Sequence, residues 1–246
     1  MAINEIFKNP TVKTVIFQIQ YPNLFYIEKI IGDYQVKIME RFPQSSLILQ
    51  KGLFITLGSQ GQIPSEGEDE SSTKIWQFSS ENDVKLSIQT NSLDIVSTHH
   101  KTYNMGDGDK FRDLIKFSLD HFFSFLGIPI INRIGLRYID HCPIINKDNQ
   151  TYLQFYNTCF PLNRFSLKDA NVMDFKTTVK RGDYLLTYRE TAQTKDNEFM
   201  LVLDFDGAAQ KVKPENYLSV TDDLHKLISD EFDLTAKEAL IKYMRQ

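Results

Sequence analysis

The stretch LVLDFDGAAQ (201–210) places two carboxylates two residues apart at the end of an apolar run. Alternate residues of a β-strand share a face, so Asp204 and Asp206 are predicted to project from the same side of the chain. Two carboxylates in that arrangement can hold Mg²⁺. The spacing therefore raises the question of a metal-dependent active site.

The residues around this pair argue against such a site. Phosphatases of the haloacid dehalogenase type carry Asp-x-Asp on the first strand of a long parallel α/β domain, whereas an antiparallel hairpin precedes the pair here. The residues after Asp206 are mostly helical in pattern and leave no room for the later motifs of those enzymes. We therefore interpret 198–205 as a strand that reaches a turn at Gly207.

A second stretch with functional residue types is NRIGLRYIDH (132–141). Arg133, Gly135 and Arg137 share one face of the predicted strand. Guanidinium forks suit carboxylate or phosphate, and glycine leaves room for a ligand or another backbone. Two interpretations stay open: an internal salt-bridge network between two lobes, which we favour, and a binding site. The candidate binding residues are Arg133, Arg137, Tyr138, Asp204 and Asp206.

Recognised catalytic and metal-binding signatures do not occur in the sequence. It contains no G-x-S-x-G, G-x-x-x-x-G-K-[ST], G-x-G-x-x-G, C-x-x-C or H-E-x-x-H. The paired histidines His99 and His100 point to opposite faces of a predicted strand and cannot easily chelate one ion. We therefore expect no metal and no other cofactor, and we lean towards a protein without enzymatic activity.

Composition and charge narrow the class of protein. The chain has 246 residues, of which 41% are hydrophobic and 24% charged, as in globular proteins. A net charge of −4 does not favour nucleic-acid binding through phosphates. The sequence shows no signal peptide and no apolar run of membrane-spanning length. With two cysteines in no metal-like spacing, Cys142 and Cys159, we expect a cytoplasmic protein that does not bind membranes.

Hydrophobic periodicity predicts an α+β protein. Predicted strands cover 12–20, 46–58, 73–78, 83–89, 93–99, 129–143, 174–181, 184–191 and 198–205, and predicted helices cover 23–42, 109–127, part of 150–158 and the C-terminal region. A polar loop is expected at 59–72, and helix caps are expected at Asp107 or Asp109, at Thr221, and at Thr235 with Glu238. The order strand, helix, meander occurs twice, so we predict two related lobes, 1–105 and 106–246, each an antiparallel meander sheet packed by helices. Duplication of a ferredoxin-like unit is one interpretation.

Several pieces taken in order resemble a known family. They are the strand VIFQI, a helix ending in ERFP, IWQFSSENDVKLSI, YNMGDGDKFRDLIKFSLDHF, RIGLRYID and DLHKLISDEFDLTAKEALIKYM. Together they resemble a sporadically distributed family of uncharacterised bacterial and archaeal proteins of about this length, with the weakest similarity in 59–72 and 143–170. The resemblance transfers no catalytic residues. The patchy distribution of that family implies a partner protein in an antiviral defence or toxin–antitoxin system.

The sequence favours a non-enzymatic binding or assembly protein, with Arg133 and Arg137 near the floor of a cleft between the lobes. The expected partner is another protein, a second copy of the chain in a homodimer, or a small anion. One alternative is an RNA-binding or RNA-processing protein of double ferredoxin-like build, which the acidic balance disfavours. A second alternative is a Mg²⁺-dependent nucleotide enzyme that uses Asp204 and Asp206.

Overall fold

Nine strands form one antiparallel sheet in the computed structural model, which describes residues 5–51, 72–195 and 198–246. The strands are β1 (Val12–Gln20), β2 (Gln44–Lys51), β3 (Ser72–Ser79), β4 (Val84–Ile88), β5 (Ser92–Ser97), β6 (Ile131–Cys142), β7 (Val172–Arg181), β8 (Tyr184–Lys195) and β9 (Glu198–Val212). The helices are α1 (Ile27–Ile38), α2 (Phe111–Phe125), α3 (Asn149–Phe155), α4 (Tyr217–Thr235) and α5 (Glu238–Arg245), with short 3-10 helices at Leu167–Asp169 and Pro214–Asn216. Across the sheet the order is β2-β3-β4-β5-β1-β6-β9-β8-β7.

The two halves of the sheet meet at β1 and β6, where Phe17 lies opposite Leu136. In each half the first strand lies beside the last strand of the meander, as β1 does beside β5 and β6 does beside β9. The predicted α+β class is confirmed. The ferredoxin-like duplication is not confirmed, because such a unit runs β-α-β-β-α-β whereas each half here continues into an uninterrupted meander. The expected boundary between 1–105 and 106–246 falls between β5 and α2 and stays a prediction.

The core lies between the helices and one face of the sheet. On β1 the buried side chains Val15, Phe17 and Ile19 point to this face and alternate with less buried residues. Tyr34 of α1 packs edge-on against Phe122 of α2, with ring centroids 5.7 Å apart. Apolar residues with a period of two in the strands therefore meet apolar residues with a period of 3.6 in the helices.

The opposite face of the sheet carries polar, partly exposed side chains, and we call it the open face. Gln18 of β1, Arg133 and Arg137 of β6, and Asp204 and Asp206 of β9 all lie there. The helices α1, α2, α3 and α4 bury their apolar side chains on the other face. An antiparallel sheet can leave one face to solvent in this way.

The turn predicted at Gly207 is wrong, and the strand predicted over 198–205 is longer than expected. β9 continues to Val212, and Gly207 pairs with Leu136 of β6 and with Leu186 of β8. A Cβ at position 207 would lie 3.4 Å from Ile228 Cδ1 on α4. The glycine therefore marks a close approach of helix to sheet rather than the end of the strand.

The helix caps expected from the sequence do not form. The 3-10 helix at Pro214–Asn216 leads directly into α4, so Thr221 lies inside the helix rather than at its start. Its Oγ1 donates to the Tyr217 carbonyl oxygen at 2.7 Å, a bond that a hydroxyl within a helix commonly makes. Caps are likewise absent at the capping-box pair Thr235 and Glu238 and at Asp107 or Asp109.

Two predicted segments lie wholly or partly outside the described residues. The strand predicted over 46–58 agrees with β2 as far as Lys51, and its remainder is not described. The loop predicted over 59–72 is also outside the described residues except for Ser72, which begins β3.

Candidate functional site

Four of the five predicted site residues lie together on the open face. Arg133 Nη2 donates to both carboxylate oxygens of Asp206, at 2.9 and 3.0 Å. Arg137 makes a two-pronged contact with Asp204, from Nε at 2.7 Å and from Nη2 at 2.6 Å. The pairing of β6 with β9 brings these residues together across the sheet.

The two ion pairs belong to a longer row of polar groups, which we call the open-face stripe. Gln18 Oε1 accepts from Arg133 Nη1 at 3.1 Å, and the Gln18 amide donates to Asp94 on β5. On the other side of β9, Arg189 Nε donates to Asp174 Oδ1 on β7 at 2.7 Å. Donors and acceptors therefore alternate along a row that reaches from β5 to β7.

Each arginine of the stripe has a carboxylate partner, as the internal-network interpretation expects. The hydrogen bonds to Asp204 hold the pKa of Arg137 above its usual value. Burial raises the pKa of Asp206, although Arg133 opposes that shift. A phosphate or carboxylate ligand would have to displace an aspartate to reach either guanidinium.

The fifth predicted site residue, Tyr138, lies on the opposite face and lines a cavity of about 130 Å³. We call this cavity the α4 pocket, because α4 forms one wall and the strands β6 and β9 form another. The segment 5–12 and the loop 101–105 complete the wall. Apolar lining comes from Ile6, Phe7, Phe205, Ile228, Phe232 and Met244, and polar lining includes Glu5, Lys101, Asp140, His225, Ser229 and Asp233.

Asp140 follows Tyr138 on the same face of β6, so its carboxyl group lies on the core side of the sheet. The residue is 2% exposed, and Oδ1 accepts a hydrogen bond from Thr11 Oγ1 at 2.7 Å. Burial raises the pKa of Asp140 to about 7, with Thr11 opposing the shift and the charge of Asp204 adding to it. This carboxyl group therefore titrates near neutral pH.

His225 faces the same pocket from α4. Its ring stacks on Tyr103 with centroids 4.4 Å apart, and its Nδ1 lies 3.3 Å from the Tyr138 hydroxyl. Burial lowers the pKa of His225 to about 4 against the opposing charge of Asp222, so the imidazole is neutral at physiological pH. Tyr103 is held in turn by Asp222, which also binds Arg112 through two contacts of 2.7 and 2.8 Å.

Residues near both ends of the chain close the pocket. The Asn9 amide donates to the Met244 carbonyl oxygen at 3.0 Å, and Thr11 Oγ1 lies 3.7 Å from Met244 Sδ. Arg245 Nη2 pairs with Glu5 Oε1 at 2.6 Å. The wall beside Asp140 therefore depends on contacts between the N-terminal segment and α5.

A second buried carboxylate, Glu190 of β8, serves as a contrast to Asp140. It is fully buried and accepts hydrogen bonds from Tyr152 Oη at 2.7 Å, Tyr188 Oη at 3.3 Å, the Cys159 amide at 2.9 Å and the Thr158 hydroxyl. These donors fix the segment after α3 against the sheet. We interpret Glu190 as structural, because its oxygens are already fully engaged.

Asp140 and His225 were not among the site residues predicted from the sequence. A signal for Asp140 was present, because the alternate residues Ile134, Leu136, Tyr138, Asp140 and Cys142 form an otherwise uncharged face. His225 lies beside Leu224 and Ile228 on the apolar stripe of α4, where a histidine more often packs in the core than binds a ligand. The segments that meet at the pocket are far apart in sequence, and periodicity does not bring them together.

Metal-binding clusters and membrane-spanning helices are both absent from the described part of the chain. No group of three or more His, Cys, Asp or Glu residues is placed to hold a metal ion within 5–51, 72–195 and 198–246. Over the same ranges, no helix combines the length and apolar character that crossing a membrane requires. Asp204 and Asp206 project from the same face as expected, but each is engaged by an arginine.

The chain matches no model of a known protein family, no curated protein and no solved structure. Function therefore has to be inferred from the two sites themselves, the open-face stripe and the α4 pocket.

Proposed function

We propose that the protein is a non-enzymatic binding protein and that the α4 pocket holds a small, mainly apolar ligand. The observation that carries the proposal is the pocket itself, a cavity of about 130 Å³ whose apolar walls enclose a few convergent polar groups. Pockets of this composition are the usual places for small-molecule binding, above all where the pKa of a lining residue is strongly shifted. Asp140 is the lining residue whose pKa is strongly shifted.

The state of the reactive groups supports binding rather than catalysis. Burial raises the pKa of the Cys142 thiol well above its usual value, so this group stays protonated and is a poor nucleophile. The imidazole of His225 is neutral and held between Tyr103 and Tyr138. Asp140 and His225 therefore shape and polarise the pocket without an activated nucleophile beside them.

Blocking the pocket tests the proposal. Ser229 lies on α4 at the pocket wall and is only partly buried, so a Ser229→Phe substitution places a ring in the cavity. Binding of benzyl alcohol to the full chain is followed by ligand-observed NMR. We expect wild type to bind this probe and Ser229→Phe not to bind it.

The matched control is Ser219→Phe, an exposed serine on the same helix, which should leave binding unchanged. Equal binding by all three proteins would place the ligand elsewhere and would contradict the proposal. Absence of binding by wild type up to millimolar probe would contradict it as well.

A second candidate function, assembly with another protein chain, is favoured by β2, which is an edge strand of the sheet among the residues that the structure describes. Leu47, Ile48 and Leu49 are 54%, 40% and 59% exposed, and no charged residue lies between Gln44 and Gln50. Soluble proteins usually protect an edge strand with charges. The opposite edge, β7, has that protection from Lys176, Lys180 and Arg181 among others. We take a second copy of the chain, pairing through β2, as the occupant.

Sedimentation velocity of wild type and Ile48→Lys tests assembly. We expect wild type to form a dimer and the variant to be monomeric, because a buried lysine opposes strand pairing. Val172→Lys, at an apolar residue 60% exposed on β7, is the control and should remain dimeric. A monomeric wild type would contradict the proposal that two copies of the chain pair through β2. A role as partner subunit in a defence system rests on the resemblance alone.

A further inference from the structure

Asp140 accepts fewer hydrogen bonds than Glu190, the other fully buried carboxylate among the described residues. It accepts one hydrogen bond, from Thr11, although it is 2% exposed. Asp204, Asp206 and Asp222 each bind an arginine, and Glu190 accepts from four donors. Buried carboxylates are normally paired or fully hydrogen-bonded, so a donor supplied from the pocket would complete this one.

The charges around the pocket favour a positively charged group over an anion. Among the described residues, the lining has three acidic side chains, Glu5, Asp140 and Asp233, against one cation, Lys101, and Glu5 already pairs with Arg245. Lys101 Nζ donates to the Thr98 carbonyl oxygen at 2.6 Å. His225 contributes no charge, because it is neutral.

The size of the cavity limits the apolar part of the ligand. A cavity of about 130 Å³ is close to the roughly 150 Å³ cavity, known from an engineered protein, that admits benzene. Phe205, Ile228 and Phe232 provide the apolar walls on the sheet and α4 sides. A phenyl ring or a branched alkyl group of similar size therefore fits.

We propose that the ligand of the α4 pocket is a small amine, whose ammonium group binds the Asp140 carboxylate and whose apolar body contacts the walls of sheet and helix. The inference rests on the proposed function, because it assumes that this pocket is a ligand site. It adds the chemical class of the ligand. A buried carboxylate and an ammonium group form a charge-assisted hydrogen bond that a neutral hydroxyl cannot match.

Matched probes of one size test the class of ligand. Binding of benzylamine, benzyl alcohol and benzoate to the full chain is measured by isothermal titration calorimetry at pH 8, where the Asp140 carboxyl is largely ionised. We expect benzylamine to bind at least about tenfold more tightly than benzyl alcohol, and benzoate more weakly than either. Asp140→Asn should abolish the preference for the amine, whereas Asp94→Asn on the open face should preserve it.

A second measurement uses wild type alone, in case Asp140→Asn fails to fold. At pH 6.5 the amine should displace the proton that Asp140 carries, so titrations in buffers of different ionisation enthalpy should show proton release for benzylamine and none for benzyl alcohol. The other titratable groups around Asp140 include Glu5, Lys101, Tyr138, Cys142, Asp204, His225 and Asp233.

The outcomes separate this inference from the proposed function. Equal affinities for benzylamine and benzyl alcohol, or no proton release on amine binding, would contradict the inference that the ligand is an amine. The pocket would remain a ligand site. Tighter binding of benzoate would do the same. Failure of all three probes to bind would overturn both.

Discussion

The guanidinium of Arg133 lies directly over Gly135, so closely that a Cβ at position 135 would be 2.2 Å from Arg133 Nη1. The missing side chain therefore lets the guanidinium lie against the sheet between Gln18 and Asp206. This relationship explains why a glycine occupies the interior of a central strand, where it would otherwise weaken the sheet.

Substitution Gly135→Ala is expected to displace the Arg133 guanidinium from Asp206. The pair is partly exposed, at 25% and 31%, so we expect a loss of unfolding free energy of about 0.5–1 kcal/mol. Urea denaturation monitored by circular dichroism measures it. In an Arg133→Ala background the same substitution should be neutral or stabilising, because alanine is then the better strand residue. An equal loss in both backgrounds would show that Gly135 is needed for another reason.

Substitution Arg137→Ala should leave the fold intact. Arg137 is 42% exposed, so loss of its ion pair with Asp204 is expected to cost at most about 1 kcal/mol. Arg189→Ala, which removes the neighbouring pair with Asp174, is the matched comparison and should behave alike. Thermal unfolding of the two variants measures the effect. Failure of Arg137→Ala alone to fold would assign this residue a structural role that its exposure does not suggest.

Substitution Glu190→Gln is expected to be much more costly. The amide places a donor against the hydroxyl and amide donors that now converge on the carboxylate, so we expect about 2–4 kcal/mol of destabilisation. Chemical denaturation provides the measurement, with the exposed Glu81→Gln as a control that should change little. A stability within about 0.5 kcal/mol of wild type would contradict the structural role of Glu190.

Asp140 and His225 should have opposite effects on stability between about pH 4 and pH 6.5. Asp140, with its pKa raised to about 7, keeps its proton when folded but loses it near pH 4 when unfolded, so its contribution to stability falls as pH rises. His225, with its pKa lowered to about 4, gains a proton near pH 6.5 only when unfolded, so its contribution rises with pH. In wild type the two effects largely cancel.

Removing either ionisable group should reveal the effect of the other on the pH dependence of stability. Relative to wild type, Asp140→Asn should become more stable as pH rises from 4 to 6.5, and His225→Phe should become less stable, each with a slope of up to about 1.4 kcal/mol per pH unit. Free energies of unfolding from urea titrations at several pH values provide the comparison. Parallel pH profiles for all three proteins would show that neither pKa is shifted in the folded state.

The strand faces could be predicted from the sequence, because in an extended chain side-chain direction depends only on residue parity. Parity alone separates Arg133 and Arg137 from Tyr138 on β6, and it puts Asp204 and Asp206 on one face of β9. The ion pairs themselves depend on how β6 registers against β9, which no pattern within either strand specifies.

The errors at Gly207 and Thr221 both concern residue types that are common at the boundary of an element. In the structure, Gly207 lies where α4 approaches the sheet, and Thr221 is buried inside α4, which begins at Tyr217. The α4 pocket was missed for a different reason. Its walls bring together Thr11, Tyr103, Asp140, His225 and Met244, and only tertiary structure makes these residues neighbours.

The contact between Thr11 and Met244 joins residues 233 positions apart, across the wall of the pocket. Thr11 emerges from the ribosome long before Met244 is synthesised. Most of the sheet can therefore form while Asp140 is still exposed to water. Under the proposed function, ligand binding would then require α5 to be docked, because Met244 lines the pocket and Arg245 holds Glu5 at its wall.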